Sequence, residues 1–103
     1  MQLTKEELSS VKALFQEFFA DKDQLWLFGA AVNPAHKEGK VDLYIETQET
    51  DYDTVLRQKA DFFSALEAAL SNKKIDIFVK VNQDDMVDLP IYVVAKETGT
   101  QLV

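Results

Sequence analysis

The chain has 103 residues, with 18 acidic against 11 basic side chains for a net charge of −7, and no cysteine. That length fits one domain, and the missing cysteine excludes a disulfide scaffold, a thiolate zinc site and a cysteine nucleophile. The acid surplus argues against nucleic-acid binding, which needs concentrated Lys and Arg for phosphate contacts.

A composition of 47% hydrophobic residues, with three glycines and two prolines, supplies a core and argues against disorder. No basic-then-apolar leader opens the chain, and no apolar run approaches the ~20 residues that span a bilayer. The expectation is a soluble domain with no membrane contact. A reducing, cytoplasmic setting fits the lack of cysteine.

The elements follow in chain order. Thr4-Lys5-Glu6-Glu7 fits a capping box, with Leu3 and Leu8 at the staple positions. Leu8, Val11, Phe15 and Phe18 continue at helical spacing, which predicts a helix over 4–20 ending in the polar stretch Asp21-Lys22-Asp23. Leu25-Trp26-Leu27-Phe28, closed by Gly29, reads as a buried strand. Ala30-Ala31-Val32-Asn33 offers one helical turn before Pro34, and the polar segment to Lys40 is a loop. Val41 to Glu46 alternates as a half-buried strand does. An acidic connection then leads to a helix near 53–71, carried by Val55, Phe62, Leu66 and Ala69 and capped by Asp53 or Asp51. Lys74 to Val79 is a third strand, followed by the polar loop Asn82 to Asp85.

The tail carries two signals. Ile91-Tyr92-Val93-Val94 has strand propensity, while Asp88 as cap, Pro90 in a first turn and Gly99 as a stop favour a helix. The helix is the preferred reading. The order α-β-(short α)-β-α-β-α predicts an α+β or α/β domain around one small mixed sheet of three strands.

Strand parity points to a site. Val41, Leu43 and Ile45 share one face and Asp42, Tyr44 and Glu46 the other. In the third strand Ile75, Ile77 and Val79 oppose Asp76, Phe78 and Lys80. With the aliphatic faces under the long helices, Asp42 and Asp76 emerge together, and as neighbours they could meet across the ladder. Trp26 and Phe28 would join Tyr44 and Phe78 beside them as an aromatic wall, covered by another element or left exposed. Such acids are either solvated strand residues or a divalent-ion and polyphosphate site next to the Phe28-Gly29 corner.

Other candidates read as ordinary surface. His36 stands alone in a polar loop, and one histidine gives a Ser-His-Asp triad little support. Asp84, Asp85 and Asp88 lack the spacing of a calcium loop. Most remaining acids read as caps and solvated positions.

Leu27-Phe28-Gly29-Ala30, then Lys37-Glu38-Gly39-Lys40-Val41-Asp42-Leu43-Tyr44-Ile45-Glu46, then Ile75-Asp76-Ile77, resembles the minimal nucleotidyltransferase family of the polymerase-β-like superfamily. That family's signature is Gly-Ser after the first strand, Asp-x-Asp on the second strand, and a third Asp on a later strand. The resemblance covers nearly the whole chain. It implies a nucleotidyltransferase-like fold, with Asp42 and Asp76 as catalytic and metal-binding positions and Gly29, Ala30 and Lys40 at the nucleotide. It also implies Mg²⁺ as the metal and ATP as the nucleotide.

Two diagnostic positions depart from the signature. Ala30 stands for the family Ser, and Lys40 for the first Asp once the loop is shortened by one residue. The ammonium could sit where the metal would, paired with Asp42 and Asp76, and hold a phosphate as a point charge, which would keep nucleotide binding while losing transfer chemistry.

Two functions follow. The resemblance implies either a catalytically impaired module, acting as an antitoxin-like or regulatory partner of a small helical HEPN-type protein, or an active enzyme moving AMP from ATP–Mg²⁺ to an acceptor. An exposed Trp26–Phe28–Tyr44–Phe78 face would suit a base or a protein surface. A homo-oligomer is compatible with either.

Overall fold

The computed structural model, described for residues 3–29, 39–81 and 90–103, begins with helix α1 (Lys5–Phe18). The capping box forms as its sequence dictates. Glu7 N–H donates to Thr4 Oγ1 at 3.1 Å, and Thr4 N–H donates to Glu7 Oε1 at 2.9 Å. Leu3 is buried and Leu8 packs against the core, which closes the staple. Strand β1 (Gln24–Phe28), strand β2 (Lys40–Thr47), helix α2 (Tyr52–Ala69) and strand β3 (Lys74–Val81) follow. Helix α3 (Pro90–Thr98) and strand β4 (Thr100–Gln101) complete the order. Among these residues no helix is long and apolar enough to cross a membrane.

The fold is α+β, and its sheet has four strands where the sequence predicts three, in the order β3-β2-β1-β4. β1 runs antiparallel to both β2 and β4, while β2 and β3 are parallel. A parallel pair needs a long crossover, and α2 supplies it. The extra strand escapes sequence reading because it is two residues long and immediately follows Gly99. That glycine ends α3, as expected, and a side chain there has no room. A Cβ would collide with the Ala95 and Leu27 carbonyls.

Three layers result. α1 and α2 cover one face, where Val11, Phe15, Phe62 and Leu66 pack on Leu25, Leu27, Leu43 and Ile45. Phe15, Phe19 and Phe62 meet ring to ring, with centroids 4.9 to 5.9 Å apart, a spacing that adds to their burial. α3 covers the opposite face. Ala95 is fully buried against Trp26, Phe28 and Tyr44, with Phe78, Ile91 and Tyr92 packed around them. Of the two arrangements the sequence leaves open for the aromatic wall, the covered one is found, with the C-terminal helix as the cover. Tyr44 is 0% exposed, and its ring stacks on Tyr92 at 5.2 Å.

Asp23 also departs from its sequence reading as solvated polar surface. It is buried and accepts from Ala20 N–H at 3.1 Å, Thr47 Oγ1 at 3.0 Å and Gln48 N–H at 2.9 Å. The carboxylate ties the α1–β1 turn to the far end of β2. The short helix at Ala30–Asn33, His36, Asp84, Asp85 and the Asp88 cap lie outside the described residues. Asp23→Ala orphans three donors at once and is expected to cost about 2–4 kcal/mol, read as a lowered midpoint in urea unfolding. A loss well below that range would show that the turn is held by other contacts.

Candidate functional site

The register of β2 on β3 decides the site. Lys40 lies opposite Lys74, Asp42 opposite Asp76, and Tyr44 opposite Phe78. The antiparallel partner places Phe28 opposite Asp42, so Asp42 sits on the central strand with β1 and β3 on its flanks. Its side chain is only 12% exposed, against 38% for Asp76. The parallel ladder makes the two carboxylates face each other, a like-charge arrangement that destabilises a sheet.

Lys40 supplies the compensation. Residues 40 and 42 share a strand face, and the Lys40 ammonium lies 3.1 Å from Asp76 Oδ2 and 3.8 Å from Asp42 Oδ1. The shorter distance is a charge-assisted hydrogen bond, while the longer one is an ion pair without one. The Lys40 pKa is raised above the ordinary 10.5, chiefly by the hydrogen bond to Asp76 and then by the charges of Asp42 and Asp76. With Lys40 and Asp76 both well exposed, the pair resembles a surface ion pair and adds little stability. Its importance is positional.

Gly29 closes the corner from β1. Its φ of +66° lies in the left-handed region, which a side chain rarely adopts. A Cβ there would also fall on the Asp42 carboxylate. Glycine is therefore required twice, once by the turn and once by the close approach of Asp42. Gly29, Lys40, Asp42 and Asp76 thus come together as the sequence places them, while Ala30 lies outside the described residues.

The residues present do not fit the divalent ion that the resemblance implies. Mg²⁺ requires oxygen ligands, and the space between the two carboxylates holds an ammonium instead. Among the described residues of this corner, two carboxylates and one ammonium leave a local charge of −1, little to attract a second cation. Among the described residues no group of three or more acidic or histidine side chains is placed to hold a metal ion.

A second polar cluster went unread in the sequence. Tyr44 Oη donates to Glu46 Oε2 at 2.6 Å, and the Lys96 ammonium lies 3.1 Å from the same oxygen and 5.3 Å from the centre of the Trp26 ring. Parity puts Tyr44 and Glu46 on one face, but only the docking of α3 brings Lys96 to them. Glu46 and Lys96, with Lys80, Tyr92, Val93 and Glu97, border an open cleft of about 270 Å³. Lys96 is already engaged by Glu46, so this cluster anchors α3 to the sheet.

No protein-family model and no curated protein matches the chain.

Two outcomes test the corner. Gly29→Ala combines left-handed strain of about 1–2 kcal/mol with displacement of Asp42. Its loss in urea unfolding should exceed the strain alone. For Lys40, a folded pKa above the unfolded one stabilises the fold fully below the unfolded value and is lost as pH rises through the folded value. Lys40→Met is therefore expected to lower the urea midpoint only slightly at neutral pH, as an exposed pair does, with the gap to wild type closing above the ordinary lysine pKa of 10.5. A gap that persists unchanged into strong alkali would trace to packing rather than charge.

Proposed function

We propose that the chain is a nucleotidyltransferase-like domain that has lost transfer chemistry and acts as an antitoxin-like, regulatory partner of a small helical HEPN-type protein. The Lys40 ammonium between Asp42 and Asp76 carries this reading. Nucleotidyl transfer relies on metal ions that neutralise charge developing on the moving phosphate and hold the attacking and leaving oxygens in line. A lysine is a point charge and cannot supply that coordination geometry. Here it already serves two carboxylates. Ala30 lacks the hydroxyl that the family Ser offers a triphosphate, which argues in the same direction. The covered aromatic face adds support, since Trp26 and Tyr44 lie under α3 and offer no open stacking surface for a base.

A domain that keeps the resemblance without its chemistry acts through what it contacts. Co-expression with the HEPN-type product of a neighbouring gene is expected to yield a complex that co-purifies. Incubation with labelled ATP and Mg²⁺ or Mn²⁺ is expected to give no Asp42-dependent transfer of AMP. Labelling that vanishes in Asp42→Ala would overturn the loss of catalysis, and two proteins that elute apart would overturn the partner. Lys40→Asp should gain saturable Mn²⁺ binding by calorimetry that wild type lacks. Equal binding by both proteins would remove Lys40 from the argument.

A further inference from the structure

At one end of the sheet β4 is only two residues long, whereas at the other β3 spans eight residues. Among the described residues β3 pairs with β2 alone. An edge of that length with no further strand on it is a template for another strand unless something blunts it.

The ladder shows which groups are on offer. Lys74 N–H donates to the Gly39 carbonyl at 2.7 Å, and β2 pairs with β3 without a slip from Lys40↔Lys74 to Thr47↔Val81. In a parallel ladder this turns the backbone groups of residues 74, 76, 78 and 80 toward β2. Those of Ile75, Ile77, Val79 and Val81 point outward along the edge.

We propose that β3 is a homodimerisation edge, pairing antiparallel with β3 of a second copy about a two-fold axis at Phe78. Charge and overlap together select this register, since a centre at Ile75, which also opposes Asp76 to a lysine, pairs only residues 74–76 of the strand, and a centre at Val79 opposes no two charges. A two-fold antiparallel pair must match residues of the same face, so its centre falls on a single residue. Centred on Ile77, it sets Lys74 against the partner's Lys80, two like-charge contacts by symmetry. Centred on Asp76, it sets that acid against its own copy. Centred on Phe78, it sets Asp76 against the partner's Lys80 and Lys80 against the partner's Asp76.

The backbone agrees with that choice. In the Phe78 register the outward groups of Ile77 and Val79 bond to each other's copies, as do those of Ile75 and Val81. Asp76, Phe78 and Lys80 then occupy the non-hydrogen-bonded positions, where opposing side chains are closest. Phe78 meets its own copy, a ring pair at the centre of the contact. Lys40 takes Oδ2 of Asp76, and a carboxylate accepts from two cations at once. An edge lysine ordinarily discourages pairing. Here the acid four residues before it turns the same lysine into a register device. The product is a continuous eight-stranded sheet with β4 at both ends.

Sedimentation velocity over a concentration series tests this. Wild type is expected to associate to a dimer. Lys80→Glu converts both cross-pairs to repulsion and should weaken association by about tenfold or more. Val79→Pro removes an outward N–H that the monomer's own ladder does not use, so it should fold, by circular dichroism, as a monomer. The decisive arm is a mixture. Asp76→Lys alone and Lys80→Glu alone should each resist self-association, while together they restore opposite charges in both pairs and form a heterodimer. A wild type that stays monomeric throughout overturns the proposal. So does a dimer that survives Lys80→Glu and Val79→Pro, or a mixture that fails to associate.

Discussion

Two carboxylates facing each other across a parallel ladder need a counter-charge, and the candidate site is arranged around that requirement. Asp42 and Asp76 are opposed because β2 and β3 pair without a bulge, and strand pleating gives each residue no freedom to leave its face. In a metal-dependent site, cations from solution would relieve the repulsion. Here residue 40, two positions before Asp42 on the same face, brings its own ammonium to 3.1 Å of Asp76. The counter-charge is thus part of the chain and moves with the fold. Gly29 allows β1 to end against Asp42 without a side chain in the way, which keeps that carboxylate within the corner.

The two sheet faces are covered by different means. On the α1–α2 face the packing is aliphatic and phenyl, and its energetics follow from buried apolar area. On the α3 face the same sheet presents Trp26, Phe28 and Tyr44 together with charged side chains. A short helix covers them by combining a small residue, Ala95, with polar anchors. Lys96 reaches Glu46 and lies over Trp26, and Tyr44 buries its ring while giving its hydroxyl to Glu46. The long stem of Lys96 can cover ring surface while its head stays near water. This face therefore contributes to the core.

Much of the architecture was legible from the residues alone. The capping box at Thr4–Glu7, the heptad-like spacing of Val11, Phe15 and Phe18, and the parity of Val41–Glu46 each depend on neighbours within a few positions, where local rules are strong. The same parity brought Asp42 and Asp76 to one face, and the resemblance marked Lys40 as the odd residue. Contacts across long sequence distances were not legible. Asp23 reads like its neighbour Asp21, but it is buried because Thr47 and Gln48 come to it from the end of β2. The two-residue β4 has no period to detect.

The sequence by itself determined the α+β order, the aliphatic faces and the placing of Asp42 and Asp76 beside the Gly29 corner, because these follow from periodicity, caps and side-chain type, while Lys40 was marked by the resemblance. Only the tertiary structure decided how those residues act on one another. The pairing register set Asp42 against Asp76, and the reach of one lysine across that register joined the two carboxylates through an ammonium. Docking of α3, which depends on Ala95, Tyr92 and Lys96 meeting strands far away in the chain, closed an aromatic face that strand parity alone leaves open. Parity states which side a residue faces, and packing states what lies opposite.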